Sequence, residues 1–451
     1  MTIGSTLLLL PLLAGARAAA VLPSGGYTSK IEIVRNPVYP LDVVDKLEEA
    51  TMPKIDDYMT KKISAGKNNK CTLETAAVRR EWSDLSETQR QEYVAAINCL
   101  TKLPPKSDKT RFPGALSRYE DFVAFHMTHA MQLHDNMHLF GAHKYYVWLF
   151  EEALRNECGY TGYQPYMNYD RYAQDPFNSP LLNGNASSLG GNGAPEPAYK
   201  GIAQPGRTPN IIASGGGGGC VKQGPFSDMI VSLGPTSMAT GVNIPKNPRA
   251  DGTGSNPRCL RRDVVRIAQK TPCLTLNPFI SQESAGSIGL DLDSWTDTIL
   301  CIQNRNAAMG ATADRAYSLL TKNNDMDGFY NQLLGTPPPK NDPYPWGIHT
   351  AGHYIAAVDP GGDPFTSPGD PLFYFHHTSL DRLWWIWQMQ DPANRLYAIP
   401  FVDMNMTMPM KRAVDPHNVT VDMEWLGPPI KLLETHDQLG GNGGAFCYVY
   451  V

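Results

Sequence analysis

Apolar residues recur at helical spacing in four segments of the chain, and each of these segments contains histidine. In the first, Ser117 and Glu120 have the spacing of a capping box, and apolar side chains follow up to Ala130. In the second, an apolar stripe starts at His143 and ends at Gly159, a residue type that favours helix C-termini. These patterns predict two consecutive amphipathic helices.

The other two segments lie in the C-terminal half. Residues 348–357 are compatible with a helix that follows a proline and a glycine. The last segment has Asp370 as a possible N-cap and Pro371 in the first turn, and it runs through Trp387. It is apolar almost all round, which predicts a buried helix. The two adjacent histidines in its middle would then need partners for their ring nitrogens.

Between these segments the chain is rich in Gly, Pro and Asn. Residues 183–225 include five consecutive glycines and have almost no apolar periodicity, which predicts a long loop and not a separate domain. A similar irregular stretch covers 235–257. The fold class predicted is therefore mainly α: a central four-helix bundle with long irregular loops and few short strands.

The N-terminal residues 1–20 contain a leucine-rich run followed by small residues, which predicts a signal peptide and a secreted protein. Residues 21–451 are then expected to form a single domain. Eight cysteines without a close CxxC pair favour disulfides over metal ligands, although their pairing stays open. Three Asn-x-Ser/Thr triplets, at Asn185, Asn405 and Asn418, are possible glycan sites.

Composition narrows the possible partners. Hydrophobic residues make up 42% and charged residues 18% of the chain, which is typical of a globular protein. The formal charge is -5 and there are no basic runs, so the sequence does not indicate a surface that binds nucleic acid. Apart from the N-terminal run, no stretch is long and apolar enough to span a membrane. The sequence therefore favours a small or neutral ligand, and it gives no indication of the oligomeric state.

Histidines supply the candidate chemistry. Nine of the eleven lie in two short windows. They are His126, His129, His134, His138 and His143, followed by His349, His353, His376 and His377. His349 and His353 are four residues apart, so on a helix they project from one face. The zinc metalloprotease pattern needs Glu where Thr350 stands, whereas imidazole ligands suit copper or a non-hydrolytic zinc site.

These windows resemble the two copper motifs of the type 3 copper proteins, which are the tyrosinases, catechol oxidases and hemocyanins. The residues from Asp370 to Gln388 match the second motif at length. The resemblance implies two copper ions, held by His126, His134, His143, His349, His353 and His377. Spacing alone does not select these six, because His129, His138 and His376 compete with them.

The resemblance covers about residues 70–451. Arg79–Trp82 looks like an N-terminal family element, and Tyr448–Tyr450 looks like the tyrosine motif that closes the catalytic domain. No C-terminal shielding domain is expected after Val451. Asp381, four residues after His377, is predicted to hold a ligand histidine or a nearby backbone group, as carboxylates behind metal ligands do. The alternative is a surface ion pair around Arg382.

By resemblance, the implied reaction is the oxidation of o-diphenols to o-quinones with reduction of dioxygen to water. Thr350 stands where many monophenol-hydroxylating relatives have Asn, Asp or Gly, so weak or absent monophenol activity is expected. Gln132 replaces the Cys that forms a thioether in some relatives, which should leave His134 freer. The alternatives are a true tyrosinase, a hemocyanin-like oxygen carrier, and a secreted zinc-binding or structural protein.

Overall fold

The computed structural model describes residues 33–66, 70–72, 75–134, 136–173, 175–203, 211–236, 242–265, 310–335, 346–356, 358–400 and 415–451. Its α-helices are α1 Val43–Ser64, α2 Glu87–Leu100, α3 Arg118–Leu133, α4 His138–Cys158, α5 Tyr169–Ala173, α6 Ala313–Lys322, α7 Met326–Leu334, α8 Ile348–His353, α9 Leu372–Gln390 and α10 Pro392–Arg395. Its strands are β1 Ala77–Arg79, β2 Gly193–Pro195, β3 Gly201–Ala203, β4 Ile211–Ala213, β5 Gly218–Val221, β6 Ile230–Val231, β7 Arg258–Cys259, β8 Thr420–Val421, β9 Ile430–Lys431 and β10 Tyr448–Tyr450.

The predicted mainly helical fold is confirmed. Helix α4 packs against α3 and α9, and α8 packs against α9, so the four histidine-bearing segments meet in the core. Helix α9 is buried on every side, as its all-round apolar sequence predicts. None of the helices in the described ranges is long and apolar enough to cross a lipid bilayer.

The start of α3 follows the prediction only in part. The Ser117 hydroxyl accepts a hydrogen bond from the backbone N–H of Glu120, as an N-cap should. The carboxylate of Glu120 does not return to Ser117; it accepts from the backbone N–H groups of Leu116 and Ser232. The capping box is therefore half formed, because the buried Glu120 instead binds a loop that is distant in sequence.

Two other helix ends differ from prediction. Helix α8 ends at His353, not at 357, because the Tyr354 N–H donates to the carbonyl of Ala351 and tightens the last turn. Helix α9 continues past Trp387 to Gln390. By contrast, α4 ends as predicted at Gly159, whose φ of 68° lies in the left-handed region.

The Gly-rich stretch 183–225 forms short paired strands, which the sequence did not predict. Strand β2 pairs antiparallel with β5, and β3 with β4. The Asp263 carboxylate accepts from the backbone N–H groups of Gly215 and Gly217 and so holds the glycine run. Strands of three or four residues are too short to give an alternating pattern, particularly where glycine replaces side chains.

Disulfides join distant parts of the chain. The structure pairs Cys71 with Cys447, Cys99 with Cys158 and Cys220 with Cys259. The first lies beside the parallel pairing of β1 with β10, which brings the predicted N-terminal element against the tyrosine motif. Cys273, Cys301, Asn405 and the predicted signal peptide lie outside the described residues.

Candidate metal centre

The first histidine group forms where α3 and α4 meet. His126 lies on α3, His134 directly follows that helix, and His143 lies on α4. The ring centres are 5.3 Å apart for His126 and His134, 5.7 Å for His126 and His143, and 4.8 Å for His134 and His143. Each ring offers one nitrogen, and these three nitrogens lie within 4.8 Å of one another. That spacing suits three ligands of one metal ion.

The second group brings four histidines together from α8 and α9. They are His349, His353, His376 and His377, and each offers a nitrogen within 4.8 Å of the others. The His349 and His353 rings, which the sequence placed on one helix face, have centres 4.9 Å apart. Helix α9 supplies the other two from adjacent positions. The group therefore has one more histidine than a three-ligand site requires.

The two groups face each other across the bundle. The His143 ring stacks on the His377 ring, with centres 4.3 Å apart and planes 9° apart. The His134 and His349 rings have centres 5.8 Å apart. The Phe373 ring lies against both groups, 4.2 Å from His377 and 5.2 Å from His126. Two metal ions held here would be close neighbours beside an aromatic ring.

Hydrogen bonds orient the rings of the first group. Each Nδ1 lies close to a backbone carbonyl: His126 is 2.8 Å from Phe365 O, His134 2.7 Å from Ala130 O and His143 2.7 Å from Leu139 O. A carbonyl oxygen only accepts, so each Nδ1 must donate and each Nε2 keeps its lone pair. The Nε2 atoms of His126, His143, His349 and His377 are buried and have no hydrogen-bond partner among the described residues. Buried ring nitrogens without a hydrogen-bond partner are suited to binding a metal ion.

Burial also sets the protonation state. Desolvation, helped by the neighbouring His134, lowers the pKa of His126 to about 3. Burial lowers the pKa of His143, His349, His353 and His377 well below the usual value. The rings are therefore neutral at physiological pH. Neutral imidazole is the form that binds a metal, so no proton has to be displaced from them first.

Comparison with known proteins shows to which family a chain with these two histidine groups belongs. The family model described as the common central domain of tyrosinase matches residues 116–390, the stretch that contains both histidine groups. The chain belongs to the tyrosinase family. It is therefore a tyrosinase-type oxidase with two copper ions, and the two histidine groups fit this cofactor. An oxygen carrier or a zinc protein is not supported.

Individual relatives are similar to this protein along most of its chain. The tyrosinase-like protein orsC of Emericella nidulans is 38% identical over 73% of this chain and 78% of its own. The N-acetyl-6-hydroxytryptophan oxidase ivoB of the same organism is 32% identical over 84% of this chain and 93% of its own. A variant of polyphenol oxidase from Thermothelomyces thermophila has a similar structure, with a TM-score of 0.73, 30% identity, and coverage of 91% of this chain and 99% of its own.

Two of the competing histidines lie away from the tyrosinase-type centre. His129 Nδ1 lies 2.9 Å from the carbonyl of Phe125, and its Nε2 lies 2.9 Å from a carboxylate oxygen of Glu424. His138 Nδ1 lies 3.0 Å from the side-chain oxygen of Asn136. Neither belongs to a group of potential ligands. Of the three competitors, only His376 stays within reach of a metal.

The expectation that His134 is freer than in relatives with a thioether stays a prediction. The absence of a neighbouring cysteine does remove the thioether, and Gln132 itself is exposed. The His134 ring is instead held by its hydrogen bond to Ala130 O. A backbone contact of this type leaves no signal in the sequence.

Asp381 is buried, but its described hydrogen bonds do not go to a histidine. One carboxylate oxygen accepts from the hydroxyls of Tyr448 and Tyr450, each at 2.6 Å, and lies 3.5 Å from Arg79. The other oxygen lies 3.3 Å from the ammonium group of Lys144. The alternative, a surface ion pair, is also wrong, because Arg382 pairs with other buried carboxylates. Lys144, the neighbour of His143, links Asp381 to the first group, and Asp381 also lies on α9 one turn after His377.

Thr350 lies on α8 directly after His349 and is partly exposed. Asp342, the one carboxylate in the sequence between Gly335 and Ile348, lies outside the described residues.

Sequence reasoning missed two residues that shape the site. Phe365 contributes only a backbone carbonyl, which no sequence pattern marks. The hydroxyl of Tyr169, on α5, lies 2.6 Å from Nδ1 of His376, and its position in the sequence gave no signal.

Proposed function

We propose that this oxidase converts o-diphenols to o-quinones and that its monophenol hydroxylation is weak or absent. The observation that carries the proposal is the contact between the two histidine groups, with His143 stacked on His377. We assign His126, His134 and His143 to one copper, and His349, His353 and His377 to the other. Their neutral rings provide nitrogen ligands without adding charge to the pocket.

The reaction balances over two substrate molecules. Each o-diphenol loses two electrons and two protons, and one dioxygen takes up four of each to give two water molecules. The copper ions supply the electron transfer, and the protein supplies orientation and exclusion of water. Phe373 offers an aromatic surface beside both groups, which favours a phenolic ring over a charged ligand.

The preference for diphenols rests on the surroundings of His349. A monophenol must lose its proton before it can be hydroxylated, which requires a base or a water held by strong hydrogen-bonding groups. Thr350 offers a single hydroxyl at the place where many hydroxylating relatives have Asn, Asp or Gly. Residues 335–348 contain no Glu and only Asp342.

Metal analysis combined with oxygen uptake tests the proposal. We expect two copper ions per chain and the uptake of one dioxygen for every two molecules of 4-methylcatechol. Phenol should give a much slower uptake that begins with a lag. Protein stripped of copper is the control. Oxygen uptake on phenol that equals or exceeds the rate on the catechol, without a lag, would contradict the proposal.

Thr350→Asn provides a matched variant for the same assay. An amide has two N–H donors besides its carbonyl acceptor, whereas a hydroxyl has one donor, so Asn can form more hydrogen bonds to a water. The ratio of phenol to catechol turnover should therefore rise several-fold, about the effect of one added hydrogen bond. An unchanged ratio in a variant with full copper content would remove Thr350 from the explanation.

We also infer that the protein is secreted. The disulfides fit an oxidising compartment, and the acceptor asparagines Asn185 and Asn418 are exposed. In a fungal host, the full chain should reach the medium without residues 1–20, whereas a chain that starts at residue 21 should stay inside. Endoglycosidase treatment should lower the mass of the secreted form. Full-length protein retained in cells with residues 1–20 uncleaved would refute secretion.

A further inference from the structure

Helix α9 presents two adjacent histidines to the second group, and only one of them faces the first group. The His377 ring stacks on His143. Adjacent helical residues point about 100° apart, so the His376 ring lies elsewhere, 4.4 Å from His353 and 5.9 Å from Tyr169. The Nε2 atoms of both histidines are buried without a hydrogen-bond partner in the described part of the chain. Position and burial alone therefore leave either ring available as a ligand.

The hydroxyl of Tyr169 distinguishes the two rings. It lies 2.6 Å from Nδ1 of His376. This distance is typical of an O–H donor and is shorter than the range of about 2.7–3.2 Å for an N–H donor to oxygen. Burial raises the pKa of Tyr169, so its proton is retained. A second acceptor near this hydroxyl, the carbonyl of His376, is farther away at 3.3 Å. The hydroxyl therefore donates to Nδ1.

This direction fixes the tautomer of His376. A neutral imidazole has one N–H and one lone pair, so a ring that accepts at Nδ1 has its proton on Nε2. A protonated Nε2 has no lone pair for a metal. The first group shows the opposite arrangement, since Nδ1 of His126, His134 and His143 each faces a carbonyl oxygen and must donate.

Packing keeps the His376 ring in place. A Cβ atom built at Gly352 would lie 2.2 Å from Cε1 and 2.3 Å from Nδ1 of His376. The ring therefore lies directly against the backbone of α8, where only glycine leaves enough space. Tyr169 itself is buried, on the short helix α5. The ring is thus confined between a glycine on one side and a hydroxyl donor on the other.

We propose that Tyr169 is a positioning residue that holds His376 in the tautomer that does not bind copper, which leaves His377 as the third ligand of the second copper. The role rests on the proposed metal site but not on the substrate assigned to it. One hydroxyl would then decide between two adjacent histidines of the same group.

NMR of the copper-free protein with ¹⁵N-labelled histidine tests the tautomer directly. In the unmodified protein, His376 should be protonated at Nε2, whereas His126 and His143 should be protonated at Nδ1. In Tyr169→Phe, which removes only the hydroxyl, His376 should lose its preference for Nε2. A proton on Nδ1 of His376 in the unmodified protein overturns the proposal, whether or not the variant folds.

Copper titration of ligand variants tests the consequence. In His377→Ala, the second copper should bind at least about 100-fold more weakly, because Tyr169 keeps His376 from replacing the lost ligand. Adding Tyr169→Phe to this variant should recover at least about 10-fold of that affinity. The control adds His376→Ala to the same pair, and the recovery should disappear.

Two outcomes of the titration would contradict the proposed role of Tyr169. One is full affinity for the second copper in His377→Ala alone, and the other is no recovery of affinity on adding Tyr169→Phe. Neither depends on substrate turnover. A protein that binds copper with this pattern but does not oxidise catechols would refute the proposed function and leave the role of Tyr169 standing.

Discussion

Alanine in place of either His126 or His349 is expected to remove one of the two copper ions and to lower catechol oxidation by at least about 100-fold. The two histidines lie in different groups, and the Nε2 of each is buried without a partner among the described residues. Electron transfer between a diphenol and dioxygen requires both metal ions. Each single variant should therefore lose nearly all activity, although it keeps one copper.

The effects of the two substitutions on activity should not add up. Because either loss disables the same pair of metals, the double variant should be about as inactive as each single variant. Atomic absorption should find close to one copper in each single variant and none in the double variant. Oxygen uptake on 4-methylcatechol provides the rates, and circular dichroism of the copper-free proteins checks the fold.

His417→Ala is the matched control for the histidine variants. Its side chain is 77% exposed and pairs with Asp415 far from both groups. Its copper content and turnover should equal those of the unmodified protein. Activity above about a tenth of normal in His126→Ala or His349→Ala would show that the variant residue is not a ligand.

Asp381→Asn is expected to lower the free energy of unfolding of the copper-free protein by about 3–5 kcal/mol. The carboxylate compensates two buried cations, Arg79 and Lys144, neither of which reaches solvent. Glu151 still pairs with Arg79 in the variant, but Lys144 loses its closest anion. Removing one partner of a buried network leaves an uncompensated charge, which costs more than the pair itself contributes.

Asp57→Asn provides the comparison for Asp381. Asp57 forms an ion pair of 2.6 Å with Lys61, shorter than either ion pair of Asp381, but both side chains are largely exposed. The change should therefore cost about 0.5 kcal/mol or less. Urea unfolding followed by tryptophan fluorescence measures both variants. Equal effects at the two positions would mean that burial does not govern the Asp381 network.

We further propose that Asp381 supports the copper centre through Lys144. If so, Asp381→Asn should bind copper about 10-fold more weakly even under conditions where the variant is fully folded. Unchanged copper affinity together with lost stability would assign the residue to the fold alone.

Much of the architecture followed from patterns along the chain. The all-round apolar sequence of α9 predicted its burial, and Gly159 predicted the end of α4. Both are local properties, set by helical periodicity and by the conformational freedom of glycine. The short strands at 193–221 were missed because three or four residues, several of them glycine, produce no period.

The limits of prediction are clearest at the centre itself. Spacing placed His349 and His353 on one helix face, because four residues make about one turn. In the first window, spacing did not distinguish His129 and His138 from the proposed ligands. The structure separates them because each forms hydrogen bonds elsewhere, His129 with Glu424 and His138 with Asn136.

The sequence by itself determined the helical class, the two windows of histidine and their likeness to copper motifs, because all three depend on residues that are near one another in the chain. Only the tertiary structure decided which cysteines pair. It also decided that Asp381 binds the tyrosines of β10 and that the Tyr169 hydroxyl contacts Nδ1 of His376. These contacts join residues 39 to 376 positions apart. At such separations the packing of the helices, and not any local pattern, sets the distance between two side chains.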